Sequence, residues 1–354
     1  MLNGILVKEL DLKEFRGIRK LAKPIKLTKF NVIIGRNNTG KTAILEAIYL
    51  LSMPYTSYND PIYNKNRIDL IAELHGGKSS LVYGYSGTAT LKYTLSKGVK
   101  VTLSRPAVAG SVPPSIRVKN ITLKLTQNGT VDTLLEDTKI NNIDYIRFLK
   151  ALGAEPEKIP PLCTYIPNDS QTYRQIRDFI LKDETWSSIE KKGLHSKVVK
   201  ELLAPTVYDK FTEILIKKDK LSIRKEVEED IGPLYIDIDS LGEGVKRTTL
   251  AYLTVEHLNP KIVLWDDIET ATHPGLLETT LKWLTNKPQQ TIITTHSLDV
   301  LYEIAYLEPK QCNIITLKKN KEDTITHRTL PPDELEDLLD KGIDARKIID
   351  ILEP

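Results

Sequence analysis

Two hydrophobic rhythms run through this chain, and the change from one to the other divides it. Phe30-Asn31-Val32-Ile33-Ile34 is a nearly continuous apolar run of strand length, and Ala43 to Leu51 carries apolar residues at helical spacing. Ahead of them, residues 1–34 read as β-rich, with Ile5–Leu12 an edge strand and Phe15-Arg16-Gly17-Ile18 a turn. Pro54 stops the helix, and 54–67, rich in Tyr, Asn, Asp and Pro, reads as a loop. Between 80 and 134 the pattern is period-2 or β-branched: Leu81–Tyr85, Ala89–Leu95, Val99–Leu103, Ile116–Val118 and Ile121–Leu125. Ser86-Gly87, Lys97-Gly98 and Gln127-Asn128-Gly129 separate these runs, which predicts an antiparallel meander with a Pro-rich loop at 105–114.

Residues 141–231 read as mostly helical and highly charged, with Leu162–Ile166 a strand returning to the main sheet. From 234 on, strands alternate with helices: strand Leu234–Ile238, helix Glu243–Leu258, strand Lys261–Trp265, helix Pro274–Leu284, strand Thr291–Thr295 and helix Ser297–Ala305. That alternation predicts an α/β fold with parallel strands. A hairpin over 312–317 and 324–327 and two short helices split at Gly342 complete the chain. The expected division is an N-terminal lobe (1–140), a helical insertion (141–233), a C-terminal lobe (234–330) and a helical tail (331–354). No repeat or long heptad run is present.

Composition changes this picture little. The 354 residues are 40% hydrophobic and 27% charged, ordinary for a globular protein. A net charge of +3 gives no global argument for nucleic acid. The stretch from Lys182 to Lys225 is locally basic but offset by acids such as Glu226, Glu228 and Glu229, so a solvated helical surface and a nucleic-acid-facing patch both stay open. Cys163 and Cys312 lie far apart without metal-type spacing and read as buried free thiols. No apolar run approaches the roughly 18 residues of a membrane span, and the N-terminus lacks a signal peptide's apolar centre, so the expectation is a cytoplasmic protein away from membranes.

Candidate chemistry changes the picture most. Gly35-Arg36-Asn37-Asn38-Thr39-Gly40-Lys41-Thr42 stands between the apolar strand and the helix, the context of a phosphate-binding P-loop. Its glycines let backbone N–H groups curl around a phosphate at a helix N-terminus. Lys41 is the candidate for the β- and γ-phosphates of ATP, and Thr42 for Mg²⁺. Ile262-Val263-Leu264-Trp265-Asp266-Asp267 is the matching acidic strand end. There Asp266 is a metal ligand candidate, Asp267 a general base, and Glu269 a second candidate base. His296, closing Thr294-Thr295-His296, is placed to hydrogen-bond the γ-phosphate or the attacking water. Ser240-Leu241-Gly242-Glu243-Gly244 opens a helix; Ser240 with Glu243 fits a capping box, and the same small residues fit an anion site.

In this order the motifs resemble those of ATP-binding-cassette ATPases, and in detail the SMC, RecF and OLD branch. The carriers are Phe15-Arg16-Gly17-Ile18, Asn37-Asn38 within the P-loop, Ile44-Leu45-Glu46-Ala47, Asp266 to Pro274, and Thr295-His296-Ser297. The resemblance covers 1–51 and 234–300. It implies an ATPase head with a mixed central sheet, an antiparallel meander and a helical insertion. It also implies a head-to-head homodimer closed by ATP, in which Ser240, Gly242 and Gly244 of one copy meet ATP held by the other. Asp267 stands where the family usually has glutamate, which predicts slow hydrolysis unless Glu269 compensates. The family's Q-loop glutamine corresponds at best to Gln171. No Toprim domain or coiled-coil arm has a counterpart here. The implied output is on DNA, in repair or defence against mobile elements, or on a separately encoded effector such as a nuclease. A low-turnover ATP-dependent scaffold is the alternative. A transporter subunit is a third reading, disfavoured by the Phe15–Ile18 opening.

Overall fold

The computed structural model describes residues 6–52, 59–104, 114–154, 162–228 and 232–347. The N-terminal part gives strands β1 (Val7–Phe15), β2 (Ile18–Leu21), β3 (Ile25–Lys26) and β4 (Phe30–Gly35), then helices α1 (Lys41–Leu50) and α2 (Arg67–Leu74). β5 (Thr88–Thr102), β6 (Ser115–Thr126), β7 (Val131–Leu135), β8 (Thr138–Ile140), α3 (Asn142–Ala151) and β9 (Cys163–Ile166) follow. Next come α4 (Ser170–Ile180), α5 (Asp183–Lys191), α6 (Leu194–Val198), β10 (Phe211–Lys217), β11 (Lys220–Lys225) and β12 (Leu234–Asp237). The last part holds α7 (Glu243–Leu258), β13 (Ile262–Trp265), α8 (Pro274–Thr285), β14 (Gln290–Thr294), α9 (Leu298–Leu307), β15 (Cys312–Lys319), β16 (Thr324–Leu330) and α10 (Pro332–Asp340).

One mixed sheet of 13 strands carries the fold, in the order β8-β7-β6-β5-β1-β2-β16-β15-β4-β14-β13-β9, with β3 also on β1. The run β15-β4-β14-β13-β9 is parallel throughout. Strands β4, β9, β13 and β14 are buried along their whole length, which is why β13 reads as a continuous apolar run and β4 as a nearly continuous one. Helix α1 lies against all four of them and is buried on every side except at Thr42. Their carboxyl ends open beside the α1 N-terminus, where ligands bind in open parallel sheets.

The mixed α/β architecture expected from the sequence is present, with differences that have physical reasons. The meander is continuous with the main sheet, because β5 pairs with β1 from Val7↔Leu95 to Lys13↔Thr90. This puts β1 inside the sheet; one-sided alternation shows a buried face and says nothing about edges. The runs 89–95 and 99–103 are one strand, as are 116–118 and 121–125, since a register shift between Thr94 and Val99 absorbs Lys97-Gly98. Leu81–Tyr85 forms two tight turns instead of a strand, broken at left-handed Gly84. The helical region contains a hairpin, β10–β11, whose Lys218-Asp219 turn is left-handed at both residues (φ 51° and 59°), the geometry of a two-residue hairpin loop. β12 adds to that hairpin, making a separate three-stranded sheet. Cys163 and Cys312 are free and buried, and burial pushes both thiols up to about 12. No helix among the described residues is long and apolar enough to cross a membrane.

Candidate active site

The loop between β4 and α1 is held tight by its own backbone. Gly35 pairs with Leu317 of β15, and a Cβ there would lie 2.8 Å from both the Leu317 carbonyl oxygen and Thr39 Oγ1. Asn38 (φ 64°) and Gly40 (φ 89°) are left-handed, a region that glycine enters freely and asparagine better than most residues. Thr39 Oγ1 braces the loop by donating to the Arg36 carbonyl at 2.8 Å. Gly40 caps α1 without a side-chain hydrogen bond, and the first turn holds no acid, so the positive end of the helix faces the loop. Lys41, 6% exposed, folds back to donate to the carbonyls of Gly35 (3.2 Å) and Arg36 (3.3 Å). Burial lowers its pKa, opposed by the charges of Asp267, Asp266 and Glu269.

The acidic strand arrives two positions away, with β14 between β4 and β13. Asp266 Oδ2 accepts from Thr42 Oγ1 at 2.8 Å, and Asp266 Oδ1 from Thr294 Oγ1 at 2.5 Å. The same Thr294 hydroxyl accepts from the Asp267 N–H at 2.8 Å. Asp267 is left-handed (φ 44°), a strained backbone for a non-glycine residue. Its Oδ2 accepts from Asn168 Nδ2 at 3.1 Å, and its Oδ1 lies 3.9 Å from His296 Nε2. Glu269 Oε1 accepts from the His296 N–H at 2.7 Å, so this carboxylate holds the end of β14. A cleft of about 300 Å³ lies between the loop 37–43, the Arg16–Ile18 turn, Asp267 and His296.

Burial raises the Asp266 carboxyl to about 6, ahead of the lowering hydrogen bond from Thr294. A carboxylate raised above its usual 3.8 destabilises the fold when ionised, so the penalty is absent below pH 4 and complete above pH 6. Thr42 and Asp266 present two hard oxygen donors side by side, and a divalent cation would offset the buried charge, so the residues fit Mg²⁺. Urea unfolding of Asp266→Asn against wild type, without cation, is expected to show a stability gap favouring the variant. That gap should widen by about 2 kcal/mol from pH 4 to pH 7, given roughly 1.4 kcal/mol per pKa unit. A gap independent of pH would contradict the burial argument.

The glycine-rich turn before α7 stays apart from this cleft. Ser240 ends a short 3-10 turn, and the N-cap of α7 is Gly242, without a side-chain bond, so the expected capping box does not form. Ser240 and Gly242 are exposed, and among the described residues a Cβ on Gly242 would meet nothing within 4 Å. Gly244 is buried; a Cβ there would overlap the Ala271 carbonyl oxygen, so its smallness lets α7 approach the segment after β13.

Sequence reasoning missed residues that only the fold brings in. Asn168, just beyond β9, donates to Asp267, whereas Gln171, the candidate for the Q-loop glutamine, is exposed on α4. Arg247 of α7 donates to Asn168 Oδ1 at 2.9 Å and lies over the Tyr173 ring, so a continuous chain links the α7 start to Asp267. Arg346 donates to the His296 carbonyl at 2.6 Å. For the Asn168 position the signal was the strand end itself: β9 neighbours β13, so its first loop residues face the acids.

Against known proteins, a family model described as AAA domain, putative AbiEii toxin, Type IV TA system matches residues 30–301. No curated protein matches the chain. Among solved structures, an Smc head bound to the C-winged helix domain of ScpA aligns with a TM-score of 0.60 at 15% identity, covering 95% of this chain and 99% of that one. An Smc head with an extended coiled coil bound to the C-terminal domain of ScpA, from Pyrococcus furiosus, gives 0.57 at 12%, covering 95% and 99%. The SMC head domain from Thermotoga maritima gives 0.51 at 14%, covering 92% and 98%. At such identities the likeness establishes the fold, that of an SMC-type ATPase head.

Proposed function

We propose, from the premise that this chain belongs to the AAA-domain family whose description reads putative AbiEii toxin, Type IV TA system, that it is an ATP-hydrolysing switch closing head-to-head with a second copy of itself. The observation that carries the reading is the Thr42–Asp266 hydrogen bond at 2.8 Å, with Asp267 and His296 on the wall of the same cleft. It joins the P-loop helix to the acidic strand across more than 220 residues of chain.

In this reading Lys41 exchanges the Gly35 and Arg36 carbonyls for the β- and γ-phosphates, while the first-turn N–H groups of α1 bind the phosphate oxygens. Thr42 and Asp266 hold Mg²⁺, which when bound neutralises charge developing on the transferred phosphoryl group. Asp267 orients the attacking water and takes its proton, and the His296 imidazole donates to the γ-phosphate. Glu269 supports His296 through the backbone and is the reserve base. Ser240 and Gly242, exposed and outside the chain's own cleft, face the ATP of the partner copy, with Gly244 seating the helix behind them. The output is on DNA, in repair or defence, or on a separately encoded effector such as a nuclease, in the cytoplasm. The toxin–antitoxin wording of the family supports the defence role, and the ScpA domain in the Smc head structures supports a protein partner.

Light scattering beside a phosphate-release assay tests this. With ATP and Mg²⁺ the wild-type mass is expected to double and phosphate to appear, and Gly242→Asp is expected to melt normally yet stay monomeric. Gly242 has ordinary dihedrals and open space, so the substitution is sterically free. A monomer under all nucleotide conditions would refute the switch. Doubling without phosphate release would favour a scaffold, a reading motivated by the Asp267 carboxylate already being tied to Asn168.

A further inference from the structure

Arg16 and Gly17 form the two-residue turn between β1 and β2, closed by the Phe15↔Ile18 pair, and this turn walls the cleft. Arg16 is left-handed (φ 51°), a conformation that costs a non-glycine side chain on the order of 1–2 kcal/mol. Its N–H is tied to the Leu81 carbonyl at 3.0 Å. The guanidinium is gripped from two elements. Nη1 donates to Glu46 Oε2, and Nη2 lies 2.9 Å from His75 Nδ1. His75 Nε2 lies 2.6 Å from the other Glu46 oxygen, Oε1. Glu46 is fully buried on α1, one turn past Lys41-Thr42, and His75 follows the end of α2.

This closed ring of three side chains fixes the state of the imidazole. A guanidinium only donates, so Nδ1 must accept and Nε2 must carry the proton that Glu46 receives. A second proton on Nδ1 would point at the guanidinium, donor against donor and charge against charge. We propose that His75, in its neutral Nε2–H form, and Glu46 are positioning residues that hold Arg16 against the cleft to meet an anionic group of the bound nucleotide. This inference rests on the reading of the cleft as the ATP site. It ties α2, which no site motif includes, to nucleotide affinity. It also accounts for an arginine at a strained turn position that glycine or asparagine would occupy more easily.

Binding of the fluorescent analogue mant-ATP to the full chain, with Mg²⁺, tests it. His75→Ala is expected to weaken binding about tenfold, the loss of one charged hydrogen bond's worth of orientation. Arg16→Ala should lose a similar factor, and the double variant no more than Arg16→Ala alone, because His75 acts only through Arg16. His75→Gln should stay within about twofold of wild type, since its carbonyl accepts from Arg16 while its amide donates to Glu46. His75→Asn, too short to bridge both partners, carries the expectation of His75→Ala if that variant does not fold. Wild-type affinity in His75→Ala, or losses that multiply in the double variant, would overturn the positioning role. Wild-type affinity in Lys41→Ala would instead overturn the cleft reading itself, and this inference with it.

Discussion

Lys41→Ala is expected to abolish ATP turnover, a fall on the order of 10²–10³ or more, as for the loss of a preorganised charge at a transferring group. The ammonium is almost fully buried, and its contacts are the two carbonyls of the loop it must serve, Gly35 and Arg36. Burial lowers its pKa, so the fold carries the charge at a cost, and three nearby carboxylates offset part of it. A charge that the fold holds at such a cost is explained by an anionic group that Lys41 meets in the cleft. Removing it should therefore leave thermal stability close to wild type while turnover disappears. Lys41→Met, which keeps the length and volume of the stem, should behave like the alanine variant and separates lost charge from lost packing. Phosphate release and a thermal melt on the same samples decide it. Turnover that survives either substitution would sink the phosphate-site assignment.

Legibility in the sequence followed how local each feature is. The P-loop is eight consecutive residues between a buried strand and a buried helix, so the residues that meet in space are also neighbours in the chain. Asp266 and Asp267 were legible for the same reason: a strand of four buried residues delivers them at its carboxyl end. Asn168 and Arg247 were not, because their roles exist only once β9 lies beside β13 and α7 packs on α4. Arg16 could be quoted as part of a motif, but its partners Glu46 and His75 come from two other elements. The β10–β11 hairpin hid in a charge-rich stretch read as helix. Its alternation was present, but Lys218-Asp219 lacks the glycine that usually marks a left-handed turn. Ser240 fitted a capping pattern by spacing alone; the chain turns two residues later, and Gly242 takes the cap position.

Asp267→Asn is expected to stop hydrolysis, by about 10²–10⁴ for loss of a general base, while leaving ATP bound and the dimer closed. The substitution suits the local backbone, because asparagine tolerates the left-handed conformation at 267 at least as well as aspartate. Its side-chain oxygen can still accept from Asn168, so the chain through Arg247 to the start of α7 stays intact. The amide cannot take a proton from water, so in the proposed switch the contacts that close two copies on ATP should persist and the step that releases them should not. Light scattering after ATP addition should show a dimer far longer-lived than the wild-type one, with phosphate at background. Glu269→Gln is the discriminating partner experiment. Its carboxylate accepts the His296 N–H through one oxygen, and the other oxygen is buried with no hydrogen-bond partner among the described residues. An amide at 269 keeps the acceptor, so if Asp267 is the base, turnover should fall severalfold at most. If instead Asp267→Asn turns over normally and Glu269→Gln traps the dimer, the base is Glu269. The short arm of Asp267, tied to Asn168, would then be a sensor of α7 in place of the proton acceptor.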